Sequence, residues 1–143
     1  MDGIDIATLI EQAERARERA YAPYSGFRVG CALEDEHGAV HLGCNVENAA
    51  YGPTNCAERT SLFRAVADGC RPRTFRALAV TAGTAEPVTP CGTCRQVMAE
   101  LCAPDMPVIL CAADRSYRIT TVAELLPGAF RLPADAAGKG DRS

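Results

Sequence analysis

Two short segments, Cys56-Ala57-Glu58-Arg59 and Pro90-Cys91-Gly92-Thr93-Cys94, limit what this chain can fold into more than any other feature. Three thiolates can hold a zinc ion tetrahedrally and leave its fourth position open, which separates a catalytic metal from a structural one. To do so here, the fold must bring two segments distant in sequence to a single point. Cys56 and Glu58 are two residues apart and do not share a face of an ideal helix, so they converge only off a helix end. Cys91 and Cys94 are three apart and do share a face within one turn. The spacing therefore predicts two helix N-termini aimed at one ion. Each terminus carries roughly half a positive charge and favours thiolate over thiol.

Three thiolates on a divalent zinc ion, one per chain, leave the cluster with a net negative charge, which a neighbouring cation would offset. Arg59 is the candidate for donating hydrogen bonds to the ligand sulfurs from behind the metal. Glu58, so close to the cluster, has the chemistry of a proton carrier, taking a proton from water and delivering it to a ring nitrogen and a departing amine. If Glu58 or a fourth thiol such as Cys44 closed the coordination sphere instead, the site would be structural.

At 143 residues, 48% hydrophobic and 23% charged, the chain fits one globular domain. A net charge of −3 and a pI near 5.4 give no basic footprint for a phosphate backbone, so a small molecule is the expected partner and nucleic acid is not. No apolar run approaches the roughly 18 residues that span a bilayer, and no membrane partner is expected. Met1-Asp2-Gly3-Ile4-Asp5 lacks the basic start and apolar core of a secretory signal, which makes the cytoplasm the expected compartment. In such a reducing setting thiols stay free or bind metal. Beyond the three candidate ligands, Cys31, Cys44, Cys70, Cys102 and Cys111 lie in apolar stretches and read as packing.

Along the chain, Ile6, Leu9, Ile10, Ala13, Ala16 and Ala20 recur at helical spacing, predicting an amphipathic helix over 5–20 that the turn around Pro23 ends. Phe27–Leu33 and Ala39–Val46 read as two antiparallel strands joined by Glu34-Asp35-Glu36-His37-Gly38, with His37 and His41 facing solvent. A helix follows over 56–68, capped by Asn55 or a neighbour, with Leu62, Phe63, Val66 and Ala67 on its apolar face and Gly69 at its end. Phe75–Thr81 reads as a central strand, 91–101 as a helix, 107–111 and 117–120 as strands, and Thr121 as the cap of a last turn before Pro127. This order implies a mixed sheet with helices packed on it in one α/β domain over 1–132. The stretch 133–143, small and polar, is expected to be a disordered tail.

The Cys91-x-x-Cys94 pair alone also fits a redox motif, but that leaves Cys56-Ala57-Glu58 without a role. A structural zinc module usually presents two Cys pairs, whereas here one pair accompanies a lone Cys. Tyr24-Ser25-Gly26-Phe27-Arg28-Val29-Gly30, Gly43-Cys44-Asn45-Val46-Glu47-Asn48-Ala49, Cys56-Ala57-Glu58-Arg59-Thr60, Pro90-Cys91-Gly92-Thr93-Cys94-Arg95-Gln96 and Leu125-Leu126-Pro127 occur in one order. Together they resemble the small homotetrameric cytidine deaminases from about Tyr24 to Phe130.

The resemblance implies a three-layer cytidine-deaminase-like α/β fold with a mixed sheet of about five strands. It implies Cys56, Cys91 and Cys94 as zinc ligands, Glu58 as the proton shuttle, and Asn45 and Glu47 on the ribose 3′-hydroxyl. Phe27 would pack on the pyrimidine and the Ala57 backbone would contact the base. Tyr51 would lie in an inter-subunit loop and Phe130 would reach a neighbouring pocket, so sites shared across interfaces make a homotetramer the expected assembly. The implied reaction is hydrolysis of cytidine and 2′-deoxycytidine to the uridines plus ammonia, in pyrimidine salvage. A deaminase of modified cytosine nucleosides, of the blasticidin type, is the neighbouring possibility. Cys31, Ala50 and the stretch after Phe130 depart from the commonest family pattern without removing a ligand or the carboxylate.

Overall fold

The computed structural model describes residues 3–133, so the expected tail lies outside the described residues except for Pro133. Nine elements follow in order: α1 (Ile6–Arg17), β1 (Gly30–Glu34), β2 (Val40–Cys44), α2 (Ala57–Ala67), β3 (Ala77–Thr81), α3 (Gly92–Leu101), β4 (Pro107–Cys111), β5 (Tyr117–Thr121) and α4 (Val122–Leu125). The strands form one sheet in the order β2-β1-β3-β4-β5, with β3 and β4 parallel and the other neighbours antiparallel.

Side-chain alternation makes three layers. One face of the sheet presents Cys31, Leu33, Leu78, Val80, Val108 and Leu110 to a core completed by α2, α3 and α4. The opposite face presents Ala32, Ala77, Ala79, Ile109 and Cys111 to Leu9, Ile10 and Ala13 of α1. Small residues on that face let α1 lie close, and at Gly30 the approach is backbone to backbone. A Cβ there would stand 2.0 Å from the Ala13 carbonyl oxygen. Gly43 does the same for α2 on the other face, where a Cβ would lie 2.5 Å from both the Ala57 carbonyl oxygen and the Ser61 nitrogen.

This topology positions the site. Since β1 is antiparallel to both β2 and β3, those two strands run in the same direction. The chain leaves β2 into α2 and leaves β3 into α3, and both helices pack in the same core cluster. The two helix N-termini therefore emerge beside one another at the carboxyl ends of parallel strands, where open α/β sheets place their ligand crevices.

Several local expectations are corrected. β1 begins at Gly30 rather than Phe27, because the Asn45 amide takes the backbone of that stretch: its Oδ1 accepts from Val29 N at 2.8 Å and its Nδ2 donates to the Phe27 carbonyl at 2.7 Å. Groups satisfied by a side chain are lost to the ladder. The N-cap of α2 is Cys56, within the expectation of Asn55 or a neighbour, and the Asn55 amide donates to Thr60 Oγ1. Phe63 is 46% exposed and Ala67 is exposed, and the buried face of α2 is Ala57, Glu58, Ser61, Leu62 and Ala65. His41 does not face solvent: its side chain is 15% exposed, and Nε2 lies 2.8 Å from Asp35 Oδ2. Cys70 packs against the main core cluster, as expected, and its sulfur also sits beside that pair.

Candidate active site

The thiols arrive by capping. Cys56 and Cys91 are the N-cap residues of α2 and α3, both in extended backbone, and Cys94 lies in the first turn of α3. Cys91 Sγ accepts from the Cys94 amide at 3.5 Å, so a sulfur takes the place an oxygen holds in an ordinary cap. The three sulfurs lie within 4.8 Å of one another, with Cys56 and Cys91 3.7 Å apart. Sulfurs bound tetrahedrally at about 2.3 Å from zinc stand about 3.8 Å apart, so the donor set fits that ion without rearrangement of this pair.

The sulfurs are electrostatically prepared for a cation. Hydrogen bonds from the Cys94 thiol, then from Arg59 and the Cys91 thiol, hold Cys56 well below the ordinary thiol range. Donation to Cys56 pushes Cys94 up in turn. Arg59 Nη2 donates to Cys56 Sγ at 3.3 Å, while its buried Nε has no hydrogen-bond partner among the described residues.

Glu58 is 4% exposed, and burial, with the neighbouring Cys56 charge, raises its carboxyl to about 7. A carboxyl poised there can both take and give a proton near neutral pH. Behind it the Ser61 hydroxyl lies 3.0 Å from the Glu58 carbonyl oxygen and 3.1 Å from Cys31 Sγ. On the other segment Arg95 donates to the Pro90 carbonyl at 2.8 Å and the Leu125 carbonyl at 2.9 Å, fixing the entry to Cys91. Sequence reasoning assigned Arg95 no role; the side-chain-to-backbone bridge between distant segments has no local signature.

The remaining predicted residues fall into two groups. Glu47, beyond β2, accepts from the amides of Tyr24 (3.0 Å) and Ser25 (3.1 Å) and from the Ser25 hydroxyl, contacts that lower its pKa. It lines a groove of about 330 Å³ with Tyr24, Ser25, Asn48, Tyr51 and Thr54. Asn45 is 8% exposed, its amide engaged with the Phe27–Val29 backbone. Ala57 is fully buried at the start of α2. Phe27 is 46% exposed, Tyr51 73% and Phe130 69%. Tyr51, at a φ of 62°, packs edge-on against Tyr24 with ring centroids 6.4 Å apart. The Phe130 carbonyl accepts from Gln96 Nε2 at 3.2 Å, tying the end of the chain to α3. Cys56, Glu58, Arg59, Cys91 and Cys94 are thus drawn together within the monomer, whereas the three aromatics stand open to solvent.

The family model described as the cytidine and deoxycytidylate deaminase zinc-binding region matches residues 5–110. The chain is 56% identical over 127 residues to a cytidine deaminase of Sporosarcina psychrophila, covering 89% of this chain and 92% of that protein. It is 54% identical, again over 127 residues, to a cytidine deaminase of Halalkalibacterium halodurans, covering 89% and 95%. The crystal structure of a cytidine deaminase from Burkholderia pseudomallei superposes with a TM-score of 0.87 at 54% identity, over 89% of this chain and 100% of that one. That of a cytidine deaminase from Mycobacterium tuberculosis gives 0.77 at 36%, over 90% and 99%.

Proposed function

Since the chain belongs to the cytidine and deoxycytidylate deaminase zinc-binding family, we propose that it hydrolyses cytidine and 2′-deoxycytidine to uridine and 2′-deoxyuridine with release of ammonia. The observation that carries this is a buried carboxylate, Glu58, on the first turn of a helix whose N-cap joins two further thiols from a second helix N-terminus. Cys56, Cys91 and Cys94 would hold one zinc ion per chain, which would supply Lewis acidity to the attacking water.

Glu58 moves the protons. It accepts one from the attacking water and gives it to N3 of the ring as oxygen adds to C4. It then carries the second water proton to the exocyclic nitrogen, the C4–N bond breaks, and ammonia leaves. The carbonyl that remains makes the product a uridine, and one water is consumed for each ammonia formed. Arg59 keeps Cys56 in its thiolate form by donating to the sulfur.

The nucleoside lies with its pyrimidine on Phe27 and against the Ala57 backbone, and its ribose 3′-hydroxyl on Asn45 and Glu47. Glu47 supports this reading because the amides of Tyr24 and Ser25 hold its carboxylate beside the groove. Tyr51 and Phe130 act across subunit boundaries in a homotetramer, a reading supported by the exposure of both rings, which leaves them available to a neighbouring chain. The catalytic domain spans 1–132 and serves pyrimidine salvage in the cytoplasm. Among the described residues no helix is long and apolar enough to cross a membrane.

The test is ultraviolet-monitored conversion of cytidine by the purified chain, with and without a chelator, alongside Glu58→Gln and a zinc count. Turnover that is lost in the variant while the thiol-held zinc stays establishes the reading. A variant as active as an active parent would remove Glu58 from the proton-carrying role, and zinc without cytidine turnover in the parent would redirect the search to modified nucleosides and, if none reacts, to a closed structural zinc site.

A further inference from the structure

Away from the thiol cluster, a second set of donors converges where three segments meet: Asp35 in the turn after β1, His41 on β2, and Cys70 just after Gly69 ends α2. Asp35 Oδ2, His41 Nε2 and Cys70 Sγ all lie within 4.8 Å of one another. We propose that Asp35, His41 and Cys70 form a second metal site, which takes a zinc-type divalent cation and staples the β1–β2 hairpin to the connection between α2 and β3.

The directions of the donors favour an ion over a catalytic relay. In a nucleophilic Cys-His-Asp relay the thiol and the carboxylate use opposite ring nitrogens. Here both face the same one: Nε2 lies 2.8 Å from Asp35 Oδ2 and 3.5 Å from Cys70 Sγ, and that sulfur is 3.7 Å from the same Oδ2. Three donors therefore surround one point. Metal bonds of about 2.0 Å from oxygen or nitrogen and about 2.3 Å from sulfur require tetrahedral edges of about 3.5 Å to the sulfur and about 3.3 Å between oxygen and nitrogen. The two edges to sulfur, 3.5 and 3.7 Å, are near that length, and the third, 2.8 Å, would lengthen by about 0.5 Å.

The carboxylate is prepared on its far side. Asp35 Oδ1 accepts from the amides of His37 (2.8 Å) and Ala39 (3.0 Å), which fixes the group and leaves Oδ2 for the cluster. Such outer hydrogen bonds are what orient a metal-ligating carboxylate. One thiolate, one carboxylate and one neutral imidazole cancel the charge of a divalent ion, so a nearly buried centre carries no net charge to desolvate. A thiolate and an imidazole select zinc and its neighbours over magnesium or calcium. An adjoining cavity of about 490 Å³, bordered by Asp35, Glu36, His37, Asp68 and Cys70, gives entry and an acidic approach. Its cation Arg71 is occupied by Glu36 at 3.3 Å.

The experiment counts zinc bound to the full chain after equilibration with zinc chloride and desalting. The parent is expected to hold about two equivalents per chain, and Cys70→Ser and His41→Gln about one, with cytidine turnover unchanged. Should either variant fail to fold, cadmium-113 resonance of the parent decides: a one-thiolate site gives a signal separate from that of the three-thiolate site. One zinc per chain with a single thiolate-rich cadmium signal overturns the proposal. So does a second equivalent that survives Cys70→Ser in a natively folded chain.

Discussion

Adding one methyl group at Gly43 should disable the site without touching a zinc ligand or Glu58. A Cβ on Gly43 would lie 2.5 Å from the Ala57 carbonyl oxygen, 2.5 Å from the Ser61 nitrogen and 2.9 Å from Ser61 Cβ. Two of these are backbone atoms of α2, so no side-chain rotation relieves them. Moving from 2.5 Å to the 3.4 Å at which ordinary contact begins displaces the helix start by about 0.9 Å. Overpacking of this kind costs about 1–3 kcal/mol of stability. Its effect on catalysis should be larger, because Ala57 and Ser61 bracket Glu58, and a misplacement of about 1 Å at a reacting group can cost about 100-fold. Gly43→Ala is therefore expected to lose about two orders of magnitude in kcat while still binding zinc and unfolding cooperatively. Steady-state kinetics, metal content and a urea titration on the same preparation check this. A variant with parental kcat and an unchanged urea midpoint would show that α2 does not rest on β2 at Gly43 in the way that positions Glu58.

Three further outcomes follow from the same structure. Glu47 has its pKa lowered by the Ser25 hydroxyl and the Ser25 and Tyr24 amides, so its contribution to stability is fully present above its ordinary value of 4.5 and is lost as pH falls through the lower native value. Urea midpoints of the parent should fall over that acid range, and Glu47→Gln should remove this component of the fall. Asn45→Ala leaves Val29 N and the Phe27 carbonyl without their side-chain partner, at a cost of about 1–3 kcal/mol. Faster amide exchange at Val29 reads the loss locally. Met98, fully buried between α3 and the sheet, should cost about 2–5 kcal/mol when truncated to Ala, seen as a lower urea midpoint with zinc stoichiometry retained.

Much of the molecule was legible from local rules. α1 follows from apolar residues at helical spacing, and Asp5 caps it through the Thr8 amide. Gly69, at a φ of 103°, terminates α2, and Thr121 caps α4 through the Glu124 amide, because these residues act on backbone groups a few positions away. The face of α2 was less legible: Phe63 and Ala67 have the chemistry of a core, but the helix turns Glu58 and Ser61 inward instead. Burying a carboxylate opposes the hydrophobic pattern, and that conflict belongs to a functional position rather than to helix propensity.

The sequence by itself determined the donor chemistry: which thiols can bind a metal, which carboxylate stands beside them, and that helix starts must present them, since residue type and spacing are local properties. Only the tertiary structure decided what meets what. Parallel β2 and β3 set two helix N-termini side by side, so Cys56 reaches Cys91 at 3.7 Å. The hairpin and the end of α2 bring Asp35, His41 and Cys70 together, although His41 read as a surface residue and Cys70 as packing. Contacts between residues about thirty positions apart are set by strand order and by close helix–sheet approach at Gly30 and Gly43, which depend on the whole sheet and leave no periodicity in any one stretch.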